Sequence, residues 1–224
     1  FVDDVTGKRL DHAMAKEARE LEMDFFRKMK VYEKVPRWMA ERDGCKVIST
    51  KWIDIDKGDK DRPNYRARLV GRELKLDNRL DLFAATPPLE TLRMICSMCA
   101  SNQGGKSPYR IMVIDVKRAY FYAKAKRPVY IEVPIEDYKE GDEQNVGKLN
   151  LSLYGTRDAA QNWAKEYTSL LVAIGFVTGK ASPCNFHHEE KKILMTVHGD
   201  DFTATAPTES LEWLESKMSE RFHI

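Results

Sequence analysis

The sequence predicts an α+β fold, in which helices and strands follow one another without the regular alternation of a parallel βαβ protein. Three observations carry this reading. Helix-period stretches recur near 11–29, 87–102 and 158–174. Two pairs of β-prone runs are each joined by a turn, one across 57–64 and one across His198-Gly199-Asp200-Asp201. The 224 residues are 42% hydrophobic and 32% charged, enough to bury a core and keep a polar surface.

The elements follow in order. Over 11–29, Met14, Ala18, Leu21, Phe25 and Met29 recur at three- and four-residue steps, which predicts an amphipathic helix. Residues 47–56, with Trp52 and isoleucines, read as extended. A polar turn over 57–64 and a second strand over 65–72 make a hairpin with a charged tip. Pro87-Pro88 opens a second helix with Leu92, Ile95, Cys96 and Cys99 on one face, ended by Asn102 to Gly105. The run 111–115 is short, apolar and ends in a carboxylate, 129–133 reads as a strand, and 136–145 as a charged loop. A third helix starts near Asp158, turns Trp163, Tyr167, Leu170, Leu171 and Ile174 inward, and is capped by Gly175. Runs 193–197 and 202–206 form the second hairpin, and a last helix over 209–222 carries Leu211, Leu214 and Met218 at helical spacing.

A net charge of +2 and a pI of about 8.3 say little about partners, so any basic footprint for nucleic acid must be local. No run approaches the roughly 20 apolar residues of a membrane helix, and the opening Phe1-Val2-Asp3-Asp4 does not read as a secretory signal. Cys45, Cys96, Cys99 and Cys184 are too few for a disulfide scaffold at this length, which points to a reducing, intracellular setting. Cys96 and Cys99, with Cys184 and His187 or His188, invite a zinc reading. Three-apart cysteines on an apolar helical face read rather as core packing, and His187-His188 as a surface pair. Trp38, Trp52, Trp163 and Trp213 offer flat faces for base stacking, though core filling is the commoner use, above all for Trp163.

Three carboxylates stand out. Asp115 ends an apolar run, and Asp200 and Asp201 sit at a hairpin tip between apolar strands. Adjacent carboxylates repel unless something neutralises them, and a divalent cation is the usual partner. Three such groups holding two magnesium ions are a known device for nucleotidyl transfer. Either motif alone also fits an N-cap or an ordinary turn.

Their company adds a resemblance. Ile114-Asp115-Val116-Lys117-Arg118-Ala119-Tyr120-Phe121 resembles the first catalytic block of reverse transcriptases. Tyr65-Arg66-Ala67-Arg68-Leu69-Val70 is similar to the copia-type fingers motif Tyr-Lys-Ala-Arg-Leu-Val, and Leu153-Tyr154-Gly155-Thr156-Arg157 through Trp163 to its Leu-Tyr-Gly-Leu-Lys block. Val197-His198-Gly199-Asp200-Asp201 stands where that family has Tyr-Val-Asp-Asp, and 81–88 resembles its segment ending in Ser-Pro-Val. The blocks keep the family's order over nearly the whole sequence, which is identified as a member of the copia-type retrotransposon reverse transcriptases.

The resemblance implies a right-hand polymerase fold with an antiparallel palm sheet backed by helices: an N-terminal helix and fingers over about 1–110, mainly palm over about 111–224, and the thumb absent. It implies RNA-directed DNA polymerase activity, with Asp115, Asp200 and Asp201 holding two magnesium ions, or manganese in their place. Tyr120 would lie under the incoming sugar. Arg66 and Arg68, two apart on a strand and so on one face, would reach the triphosphate. The family's Lys-Gln pair is Arg157-Asp158 here, and Gln161 is the candidate to replace its contact. The implied partners are an RNA or DNA template with its primer, deoxynucleoside triphosphates, and the thumb and RNase H domains of a longer polyprotein; no membrane is implied. The implied location is a cytoplasmic particle or the nucleus. His198 and Gly199 depart from the family's Tyr and Val. A non-catalytic, nucleic-acid-binding remnant of the polyprotein is the competing reading, and a magnesium-dependent nuclease a third.

Overall fold

A computed structural model describes residues 1–59, 61–74, 82, 84–104 and 107–224. Lys60 of the first hairpin tip, Asp81 and Phe83 of the 81–88 segment, and Gly105 at the end of the second predicted helix lie outside the described residues. The elements are α1 (His12–Met29), β1 (Tyr32–Pro36), α2 (Trp38–Arg42), β2 (Val47–Ile48), β3 (Thr50–Asp56), β4 (Tyr65–Gly71), α3 (Leu89–Ser101) and β5 (Tyr109–Asp115). They continue with β6 (Tyr130–Ile131), β7 (Asn145–Leu149), α4 (Ala159–Ala173), β8 (Val177–Thr178), β9 (Asn185–His188), β10 (Ile193–His198), β11 (Asp201–Pro207) and α5 (Thr208–Ser219). The architecture is thus mixed, with mainly antiparallel sheets. The chain divides into two compact units, each made of two separate stretches: 1–79 with 123–162, and 80–122 with 163–224. No helix among the described residues is long and apolar enough to cross a membrane.

In the first unit, α1 starts where expected, with the Asp11 side chain accepting from the Met14 N–H as an N-cap. It ends on Lys30 in the left-handed region. Its inward face is Ala15, Ala18, Glu22, Met23 and Phe26, whereas Leu21 is 56% exposed. The apolar periodicity therefore misplaced the face by about one residue, because the buried stripe uses two alanines and a glutamate that a count of large apolar side chains passes over. The hairpin β3–β4 forms in full register from Thr50↔Gly71 to Asp56↔Tyr65. A four-stranded sheet, in the order β1-β7-β6-β2, is antiparallel except for the β2–β6 pair. Strands β1 and β7 are not among the elements read from the sequence, and β7 begins where the predicted charged loop over 136–145 ends. Their charge is accommodated by pairing, as where Lys34 meets Asp142 at 2.6 Å. Gly147 of β7 has a packing reason: a Cβ there would lie 2.8 Å from the Tyr32 ring and 2.9 Å from Ile131.

The second unit is built on an antiparallel five-stranded sheet, β5-β11-β10-β9-β8. One face carries Ile114, Phe202, Val197, Ala204 and Met195, all buried. Tyr167 of α4 lies edge-on to Phe202 and Phe186 at 5.5 and 6.0 Å, and Trp163 to Phe202 and Phe222 at 6.2 and 5.0 Å. The opposite face is rich in threonine and meets α3, where Asn185 donates to Thr91 and accepts from Thr196. This corrects the predicted face of α3. Thr91 and Ile95 point inward, while Leu92 is 41% exposed and Cys96 is exposed. A helix against a threonine-lined sheet buries a hydroxyl at the position where pattern reading expects a leucine. His187-His188 is corrected too. His187 is exposed, but His188 is buried, its ring edge-on to Phe176 and Trp213 at 5.1 and 5.2 Å. Successive strand residues point to opposite faces, so a pair on a strand cannot share an environment.

Candidate functional site

The second unit brings three of the predicted site residues together through strand register. His198 pairs with Asp201, which leaves Gly199-Asp200 as the two-residue loop of the β10–β11 hairpin. Gly199 has φ +65, and a Cβ there would touch nothing within 4 Å. Glycine is therefore required by backbone conformation rather than by space, as at the first central residue of a II′ turn. On its other side β11 pairs with β5 so that Asp201 lies directly opposite Asp115. Side chains opposed in this way share a face with Cβ atoms about 5 Å apart, and like charges there repel. Asp115 is exposed, Asp200 half-buried and Asp201 exposed.

The electrostatics follow. Partial burial, then the Asp200 and Asp115 charges, push the Asp201 carboxyl above the usual carboxylate range; His198 acts weakly the other way. The donor set is all carboxylate oxygen, with like charges crowded at one place, which fits a hard divalent cation. The cage is not closed: among the described residues no three His, Cys, Asp or Glu side chains converge on one point.

The turn is held from two sides. The indole Nε1–H of Trp163 donates to the Gly199 carbonyl at 2.8 Å, and the Val116 N–H to the Asp200 carbonyl at 3.1 Å. Sequence reasoning placed Trp163 in the core, where it is 1% exposed, but missed its bond to the turn. The available signal was that a buried indole seeks an acceptor. After Asp115 the backbone reverses through Arg118 at φ 53 into a 3-10 turn, Ala119–Tyr122, on which Tyr120 is half-buried and Phe121 buried. The Tyr122 hydroxyl accepts from the His223 N–H, and the Lys117 N–H donates to the His223 carbonyl. A cleft of about 350 Å³ adjoins Asp201 and His198, walled by Thr196, Thr203, Leu89 and Leu92.

Arg66, Arg68 and Gln161 belong to the first unit. Along β4, Ala67 and Leu69 are buried while Arg66 is exposed and Arg68 half-buried, so the two arginines share the outer face. The Arg68 guanidinium stacks over the Tyr154 ring at 5.1 Å. The Leu153-Tyr154-Gly155 block abuts the end of this strand, where the Gly71 N–H donates to the Tyr154 carbonyl at 2.7 Å. Gly155, at φ +81, lies so close that a Cβ would meet the Gly71 carbonyl oxygen at 2.0 Å. Gln161 is half-buried on α4. Asp158 is occupied structurally, accepting from Arg127 and Asn162.

Comparison with known proteins gives the class of protein to which this sheet and turn belong. The family model described as reverse transcriptase (RNA-dependent DNA polymerase) matches residues 33–224, and the chain belongs to that family. Over 190 residues it is 25% identical to a retrovirus-related Pol polyprotein from transposon TNT 1-94 of Nicotiana tabacum, covering 81% of this chain and 14% of the relative. It is 28% identical over 189 residues to that from transposon RE1 of Arabidopsis thaliana, and 25% over 187 residues to that from transposon RE2 of the same plant. Each of these covers 81% of this chain and 12% of the relative. The copia-type resemblance drawn from the sequence agrees with these relatives, all Pol polyproteins of transposons, of which the chain spans a small part.

Proposed function

We propose that this chain is the catalytic part of an RNA-directed DNA polymerase, adding deoxynucleotides to a primer on an RNA or DNA template. The observation that carries the reading is the register of Asp201 opposite Asp115 with Asp200 in the adjoining turn. On this reading the second unit acts as palm and the β3–β4 hairpin belongs to the fingers. Asp115, Asp200 and Asp201 hold the cations. Bound magnesium, or manganese in its place, supplies activation of the primer 3′-hydroxyl and neutralisation of the triphosphate. Arg66 and Arg68 present fork-shaped donors to the triphosphate, and Gln161 adds a polar contact. Tyr120 sets the floor under the sugar and disfavours a 2′-hydroxyl by contact. The protein thus contributes position and charge rather than covalent chemistry.

Primer extension on poly(rA)/oligo(dT) with magnesium and dTTP tests this, with Asp200→Asn as the control. Extension by the wild type that vanishes in the variant is expected. A folded chain that binds the template-primer but extends nothing would instead make it the non-catalytic binding remnant.

A further inference from the structure

We propose that the His198 imidazole is a further ligand to the cations held at Asp115, Asp200 and Asp201, and that it makes this centre prefer a first-row transition ion such as manganese over magnesium. The placement follows from strand register. His198 pairs with Asp201 across the β10–β11 hairpin, and Asp201 pairs with Asp115 across β11 and β5. Directly opposed residues put their side chains on one face of a sheet. Imidazole, carboxylate and carboxylate therefore stand in a row across three strands. The cleft beside the turn agrees with this placement. His198 and Asp201 line it together with Thr196 and Thr203, the next pair of the same two strands on that face.

Two features make the ring more than a solvated strand end. Its backbone is fixed on both sides. The Val197 N–H donates to the Cys184 carbonyl at 2.9 Å, and the Gly199 carbonyl accepts from Trp163 at 2.8 Å. Its nitrogens are also open: among the described residues the His198 side chain makes no hydrogen bond. The buried His188 differs, with Nε2 3.1 Å from the Ile174 carbonyl and Nδ1 accepting from the Lys191 N–H at 3.3 Å. The His198 ring lies near enough to Asp201 to act on that carboxyl electrostatically. His198, Asp115 and Asp201 are all exposed, so side chains that do not yet converge on one point are free to turn onto an ion. The ring adds one nitrogen to a set otherwise made of oxygen. Oxygen donors serve magnesium and manganese alike, whereas an imidazole nitrogen favours the transition ion. Magnesium also gives up its water reluctantly, which penalises exchange of that water for nitrogen.

The proposal rests on the polymerase reading for the three carboxylates as cation holders, and the test is run without nucleic acid or nucleotide so that catalysis plays no part. Manganese binding to the full chain is titrated by loss of the free-ion EPR signal, and magnesium is read by displacement. Electron spin echo modulation of the bound manganese reports any nitrogen ligand. Wild type is compared with His198→Phe, which keeps a flat ring without nitrogen, and with His187→Phe, which removes an exposed histidine from β9 of the same sheet. Wild type should show imidazole nitrogen modulation. His198→Phe should lose it and bind manganese about tenfold more weakly, with magnesium affinity little changed. His187→Phe should match wild type. Absent manganese binding, bound manganese without nitrogen modulation, or an unchanged manganese-to-magnesium ratio in His198→Phe would overturn the proposal. So would loss of the nitrogen signal in His187→Phe instead. A chain that shows the nitrogen signal but extends no primer with either ion would refute the polymerase reading and leave ligation by His198 standing. Primer extension by a chain without the signal would do the reverse.

Discussion

The two units treat their carboxylates in opposite ways. In the first, acids are matched to donors. Asp142 is held down to about 2 by Lys34 and then Asn145, and Asp3 to about 2 by the backbone N–H groups of Asp56 and Thr6. Arg19 grips Asp54 through two nitrogens and reaches Glu136 with a third. In the second, Asp201 is pushed upward by partial burial and by its own neighbours. The same residue type thus serves as cement in one place and as an unbalanced charge in the other. Crowded like charges of this kind are what the proposed cation site is built on.

The comparison is broken most severely by removing the imbalance. On the proposed reading Asp201→Asn should lower magnesium-dependent primer extension by about 1,000-fold or more, as expected when a carboxylate ligand to the charge-neutralising cations is lost; steady-state kcat on poly(rA)/oligo(dT) is the readout. Next in size is a purely structural break in the first unit. Gly155→Ala forces a Cβ against the Gly71 carbonyl at positive φ and should cost about 3 kcal/mol or more, seen as a fall in urea midpoint. Trp163→Phe keeps the ring in the aromatic cluster but removes the donor to Gly199. It should cost about 1 kcal/mol and reduce kcat about tenfold with KM little changed, because the turn rather than substrate binding is loosened.

Smaller effects sharpen the contrast through pH. Asp142 has a folded pKa below its ordinary value, so the stability it contributes is present above about pH 4 and fades as pH falls through about 2. Asp142→Asn should lower the urea midpoint at pH 7 and flatten that acid limb. Asp201 has the reverse sign: with its folded pKa raised, its ionisation weakens the metal-free fold as pH rises through that value. Asp201→Asn should therefore raise the metal-free melting temperature by about 1–2 °C, equivalent to about 0.5 kcal/mol for a screened cross-strand pair. Magnesium should stabilise the wild type and leave the variant unmoved.

What was legible in the sequence was local. The α1 N-cap at Asp11, the β3–β4 hairpin and the Gly199-Asp200 turn each carry their signal within a few residues, and the structure has all three. Facing was less legible. Leu21 and Leu92 look like core and are exposed, while Thr91 and His188 look like surface and are buried, because the partner surface decides and a single sequence does not display it. Strands β1 and β7 were missed because their charged side chains are neutralised by residues distant in sequence, such as Lys34 by Asp142. The meeting of Asp115 with Asp201 was expected only from family resemblance, since no periodicity fixes a register across so long a separation.

That separation also bears on how the protein is made. Strand β5 must wait for β11, with α4 and the rest of the sheet emerging between them, before Asp115 has a neighbour. Local helices and the β3–β4 hairpin form early on such a chain, whereas a long-range pairing is a late and slow event. On a ribosome adding about 5–20 residues each second, Asp115 therefore spends several seconds unpaired, and β5 remains an open edge that competing strands can occupy.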